Sequence, residues 1–133
     1  MNYLYKQSII VRSDIDFKSK GKLAAQVAHA SLGALLKYFE FQDSKNDLFY
    51  YNVTLPPAIF EWIKGDFAKI VLKIPTLHEL LELNEKAKEL QLPYALITDN
   101  GTTVFNEPTI TCLSIGPWYS EIIDDITKDL KLL

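Results

Sequence analysis

Four short runs of β-branched and other apolar residues, separated by stretches with helical periodicity, constrain this chain more than any other feature. KQSIIVRS at 6–13 holds the compact Ile9-Ile10-Val11 run of a buried strand. KIVLKI at 69–74, YALITD at 94–99 and TITCLSIG at 109–116 read as three more, the last rich in β-branched residues. Between the first two, a helix is predicted from near Gly21 to about Phe39, with Leu23, Val27, Ala30 and Ala34 at helical spacing. Its alanines and Gly33 make it thin enough to approach a sheet closely. Pro56 and Pro57 suit the start of a second helix that ends near Gly65. TLHELLELNEKAKELQL carries the clearest amphipathic pattern, and Pro93 ends it. A last short helix is predicted near Ser120–Thr127, after Pro117. The order β-α-(α)-β-α-β-β-α predicts one α/β domain over 1–133, layered around a small, mostly buried sheet. EFQDSKNDLFYYNVTL (40–55) reads as an irregular excursion.

Composition narrows the function classes. Hydrophobic residues make up 48% and charged residues 23%, the balance of a globular chain rather than a disordered one. No apolar stretch approaches the roughly 18 residues that would span a bilayer. The single cysteine, Cys112, excludes an internal disulfide, and with only His29 and His78 no metal site is expected. A reducing cytoplasm is the expected compartment. The net charge of -3 argues against a general, sequence-blind nucleic-acid binder. It leaves room for a local basic patch: Lys18, Lys20 and Lys22 fall within five residues, as a phosphate contact or as a solvated loop. A phosphate loop fails at Asp16 and Leu23, and neither G-x-G-x-x-G nor G-x-S-x-G occurs. Cys112, inside an alternating strand, reads as an inert core thiol.

Two places remain for chemistry. Lys22, Gln26 and His29 lie at i, i+4 and i+7, on one stripe near a helix N-terminus. That terminus offers free N–H groups and partial positive charge to a phosphate or an oxyanion. Alternatively, Gln26 and His29 hydrogen-bond neighbouring loops, and spacing alone leaves the two readings even. In ITDNGTT (97–103), Asp99 follows a short strand and precedes a glycine turn. It reads as an Asx-turn residue, or as a base or orienting group with the Thr103 hydroxyl beside it.

Taken together, these pieces resemble the archaeal and eukaryotic type, the second class, of peptidyl-tRNA hydrolase. The resemblance is collinear over almost the whole chain: IIVRSD (9–14), KGKLAAQVAHAS (20–31), KIVLK (69–73), Asp99-x-Gly101-x-Thr103, TITCLSIGP (109–117) and DLKLL (129–133). It implies a three-layer α/β/α sandwich with a small, mostly parallel mixed sheet of about four strands. It further implies hydrolysis of the ester joining a peptide to tRNA, without cofactor or metal, on the acceptor end of peptidyl-tRNA. The family's proposed catalytic residues carry over to Lys22, Asp99 and Thr103. Gln26, His29 and Thr111 match recurrent positions near the cleft, and Lys18 and Lys20 would contact tRNA phosphates. A homodimer would fit the family. Phe67, Asn100, Thr102 and Val104 depart from the family pattern by removing polar or basic groups from the cleft rim. Two rival readings follow: a module that binds a tRNA end or a protein without turnover, and an esterase for another acyl substrate.

Overall fold

The computed structural model describes residues 3–133. Among them the strands are β1 (Tyr5–Arg12), β2 (Phe39–Lys45), β3 (Leu48–Val53), β4 (Lys69–Ile74), β5 (Tyr94–Asp99), β6 (Thr109–Tyr119) and β7 (Lys131–Leu132). The helices are α1 (Lys20–Leu36), α2 (Pro57–Lys64), α3 (Leu77–Glu89) and α4 (Ser120–Thr127). Five strands form one sheet in the order β5-β6-β1-β4-β7, and β2 pairs with β3 in a separate ribbon.

β1 runs through the middle of the sheet, and Gln7 through Val11 are buried without a break. Successive strand residues point to opposite faces, so this unbroken run needs cover on both sides. Ile10, Leu72, Leu113 and Ile115 point to one face and pack with Leu80 and Ala87 of α3 and Ile123 of α4. Ile9, Val11 and Cys112 point to the other and pack with Ala30, Leu23 and Val27 of α1. Each fully buried Ile or Leu of this kind contributes about 1.5–3 kcal/mol through its removal from water. The result is the expected α/β layering, with α2 set against β1 and β6.

Small residues bring α1 close to the sheet. A Cβ added at Gly33 would sit 3.1 Å from the Cβ of Ala95 on β5, so any larger residue there would push the helix away. Ser19 caps the helix by accepting from the Lys22 N–H at 3.1 Å. Thr76 does the same for α3, accepting from the Glu79 N–H at 3.1 Å and donating to the Glu79 carboxylate at 2.8 Å.

The structure corrects the expected sheet and the expected excursion. The sheet has five strands, not four, because Lys131–Leu132 pairs with the outer edge of β4. Nor is it mostly parallel. β1–β4 is the parallel pair, whereas β1–β6, β5–β6 and β4–β7 are antiparallel. The reason lies in the connections. A parallel neighbour needs a long crossover, which α1 and α2 supply between β1 and β4, whereas β5 and β6 are joined by a loop without a helix and can only reverse.

Residues 40–55 are mostly a regular hairpin, and α1 stops at Leu36 because Phe39 already starts its first strand. Asn46 and Asp47 turn it, with φ of 54° and 63°. These are left-handed angles that Asn and Asp adopt more readily than most residues, and they suit a two-residue hairpin turn. A bulge between Phe41 and Asp43 breaks the two-residue alternation, which is what hid the strand in the sequence.

Candidate active site

Lys22, Asp99 and Thr103 come from three separate places: the first turn of α1, the last residue of β5, and the loop after it. The fold brings them into direct contact. The Lys22 ammonium donates to Asp99 Oδ2 at 2.6 Å and to Thr103 Oγ1 at 2.8 Å. The ion pair is largely sheltered, with 16% of the Lys22 side chain and 7% of the Asp99 side chain exposed, while Thr103 faces solvent.

Asp99 divides its two oxygens between structure and site. Oδ1 accepts from the Gly101 N–H at 2.9 Å and closes the Asx turn. Oδ2 accepts from Lys22 and, at 3.0 Å, from Gln26 Nε2. The Asx turn is therefore present, and the same carboxylate also meets Lys22 and Gln26. These bonds to the charged form, that of Lys22 foremost and that of Gly101 next, hold its pKa below the ordinary aspartate value of 3.8.

Gln26 lies beneath this pair, 1% exposed. Its amide is oriented by its neighbours. The carboxylate can only accept, so Nε2 faces Asp99, and Oε1 accepts from the Thr111 hydroxyl at 2.6 Å. The Cys112 thiol donates to the Gln26 carbonyl at 3.4 Å. Burial pushes that thiol up to about 11, which suits an inert core cysteine. Gln26 and Thr111 thus form a buried support for Asp99 and are closed off from any ligand larger than the carboxylate itself.

The remaining candidates are not drawn into the cluster. His29 is exposed two turns farther along α1, and it makes no hydrogen bond to the cluster among the described residues. Lys18 and Lys20 are exposed around the start of α1. Lys18 adopts φ of 69°, with its N–H bonded to Asp16 Oδ1 at 2.8 Å and its ammonium 3.2 Å from that carboxylate. The first turn of α1 contains no acid, so basic side chains add to the positive end of its dipole instead of neutralising it.

Sequence reasoning did not place the aromatic wall of the site. The Lys22 ammonium lies 5.8 Å from the centre of the Phe105 ring, which meets Phe17 edge-on at 5.9 Å. Phe17 and Phe105 stand far apart in the chain, and no local pattern joins them. Beside the cluster opens a cleft of about 630 Å³, whose walls include Arg12, Ile15, Lys18, Val104, Phe105 and Ile110. It is a place for a ligand with an apolar part, next to a cationic helix end.

The family model described as peptidyl-tRNA hydrolase PTH2 matches residues 5–133. Among curated relatives, the peptidyl-tRNA hydrolase of Sulfurisphaera tokodaii is 44% identical over 128 residues, 96% of this chain and 98% of that one. The peptidyl-tRNA hydrolase of Methanopyrus kandleri is 45% identical over 130 residues, covering 98% and 99%. Among solved structures, a protein of unknown function from Agrobacterium tumefaciens strain C58 aligns over 99% of both chains with a TM-score of 0.53. At 14% identity, it speaks for the fold alone.

Proposed function

This chain belongs to the peptidyl-tRNA hydrolase PTH2 family, and we propose that it frees tRNA from stranded peptides by water attack on their ester link, with Lys22, Asp99 and Thr103 as the acting groups. The observation that carries the residue assignment is that the Lys22 ammonium joins Asp99 to Thr103, next to Val104 and Phe105, which line the neighbouring cleft. An ester is already an activated acyl group, so an oriented water suffices as nucleophile.

Each group has a distinct part. The Lys22 ammonium lies where it can stabilise the oxyanion that forms as water adds to the carbonyl. The Thr103 hydroxyl accepts from Lys22, which leaves its own proton free to donate to the leaving ribose oxygen. Asp99 is held ionised by the same bonds that make it a weak base. A base works best with a pKa near the working pH. The carboxylate therefore orients Lys22 and the water, and bulk solvent takes up the proton. Gln26 and Thr111 act on the reaction only through Asp99. The exposed Lys18 and Lys20 contact phosphates of the acceptor end, in the cytoplasm where translation takes place.

The test is release of the acyl group from N-acetyl-aminoacyl-tRNA, compared with free aminoacyl-tRNA. Turnover of the blocked substrate, weakened steeply by salt, is the expected result. Binding of tRNA without turnover by folded protein would mark a binding module. Equal turnover of simple acyl esters would mark a general esterase.

The loop that carries Thr103 depends on Gly101. Its φ is 79°, and a Cβ there would overlap the backbone of Glu107. Gly101→Ala forces this loop to move, at a cost of about 1–2 kcal/mol for the left-handed backbone alone. The expected outcome is a fall in kcat of roughly tenfold or more, because small misplacements of acting groups are expensive. A fall of several degrees in the unfolding temperature should accompany it, as a cost of that size produces in a domain of this length. Unchanged kcat would remove Thr103 from the mechanism.

A further inference from the structure

The cleft beside the Lys22 cluster pairs an apolar side with cations that are already matched by acids. Ile15, Leu77, Val104, Phe105, Pro108 and Ile110 form the apolar side. Arg12 donates twice to the Asp14 carboxylate, at 3.0 and 2.9 Å, and once to the Ile110 carbonyl at 3.0 Å. The Lys18 ammonium lies 3.2 Å from Asp16. Glu107 also lines the cleft and has no ion-pair partner among the described residues. The cleft therefore offers apolar surface with one acid in excess.

That balance decides which part of a substrate belongs there. A nucleic-acid strand brings a phosphate with every nucleotide and follows unmatched cations. Lys20, which has no acidic partner among the described residues, lies at the positive end of the α1 dipole and outside the cleft lining. An adenosine seated in the cleft would carry its phosphate toward the unmatched Glu107. An apolar peptide side chain brings no such charge. Phe105 joins the cleft to the place of bond cleavage, since its ring centre is 5.8 Å from the Lys22 ammonium. In the ester, the side chain of the esterified residue stands one carbon from the reacting carbonyl. With the carbonyl oxygen facing Lys22, that side chain falls beside Phe105. At about 630 Å³, the cleft has the size of a small-ligand site.

We propose that this cleft is an acyl specificity pocket. It takes the side chain of the residue esterified to tRNA, favours a bulky apolar one, and disfavours an acidic one through Glu107. The assignment rests on the hydrolysis proposed for Lys22, Asp99 and Thr103. Val104 and Phe105 select by apolar contact, remote from the bond that breaks, and Glu107 selects by charge.

The test uses N-acetyl-leucyl, N-acetyl-glycyl, N-acetyl-aspartyl and N-acetyl-asparaginyl esters, all charged on the same tRNA. For each, kcat/KM is measured above spontaneous deacylation. The wild type should favour leucyl over glycyl by about tenfold or more, as apolar pockets do for a missing side chain. It should favour asparaginyl over its near-isostere aspartyl by about two- to fivefold, the effect of one exposed charge contact. Val104→Asp should lower the leucyl-to-glycyl ratio by about tenfold, because a carboxylate must be desolvated to admit an apolar side chain. Glu107→Lys should reverse the order of aspartyl and asparaginyl and leave the leucyl-to-glycyl ratio unchanged. Ratios within one variant cancel any common effect on folding or on the Thr103 loop. A wild type without preference would overturn the pocket, and an unreversed order in Glu107→Lys would overturn the role of Glu107. A Val104→Asp variant that slows all four substrates equally would also overturn the pocket and assign the cleft to the terminal adenosine. Each of these results leaves hydrolysis itself standing. Failure of folded wild type to release any of the four would sink the hydrolysis, and the pocket with it.

Discussion

Alanine in place of Lys22 is expected to lower kcat for N-acetyl-aminoacyl-tRNA by about 10²–10³, with a smaller change in KM. The size follows from the role: one preorganised donor aimed at a developing oxyanion, in a partly sheltered site, is worth that much and acts mainly in the transition state. Loss of packing is the competing explanation, because the Lys22 stem passes near the Phe105 ring. Lys22→Met separates the two, since it keeps an unbranched stem and removes the charge. If both variants fall equally, the ammonium is the acting part. If methionine restores the rate, Lys22 is a spacer and the oxyanion role is lost. A KM that rises while kcat holds would instead assign Lys22 to a tRNA phosphate.

Asparagine at position 99 is expected to lower kcat by about 10²–10⁴, the range lost with a positioned acid–base or orienting group. The substitution keeps the size and can keep the Gly101 turn bond through its carbonyl oxygen. Its NH₂ would then face the Lys22 ammonium and Gln26 Nε2, two donors that now share one carboxylate oxygen as acceptor. The whole cluster must rearrange, so the loss exceeds that of one hydrogen bond.

Wild-type pH dependence adds a sign that a structural role alone would not produce. Asp99 is held below its ordinary 3.8 in the folded protein, mainly by the Lys22 hydrogen bond. It therefore stays ionised from neutrality down through pH 5, and no loss of rate in that range should come from it. The stability it contributes is fully present above the unfolded value, about 3.9, and is lost as pH falls through the lower folded value. A rate that declines between pH 7 and 5, with the decline abolished in Asp99→Asn, would show Asp99 titrating as a general base and overturn the orienting role.

Much of this was legible in the sequence because it is local. β4 at 69–74 and β5 at 94–99 coincide with their apolar runs, and β1 differs from 6–13 by one residue at each end. Strands of that kind announce themselves by composition, and α3 by periodicity, whatever surrounds them. The hairpin did not, because one bulged residue shifts every later side chain to the opposite parity. β7 is two residues long and exists only because the edge of β4 is there to receive it. Strand direction was likewise a property of the connections and not of any strand.

The site divides along the same line. Residue types and their order singled out Lys22, Gln26, His29, Asp99 and Thr103, and resemblance to a family linked them and added Thr111. What the chain alone could not supply is that Asp99 reaches Lys22 across 77 residues, that Gln26 and Thr111 lie buried beneath it, and that His29 stays outside. Local preferences set which backbone states each segment favours. Which distant side chains meet is decided only when β5, β6 and β1 align and α1 settles on them, since a hydrogen bond depends on separations of a few tenths of an ångström that no spacing along the chain encodes.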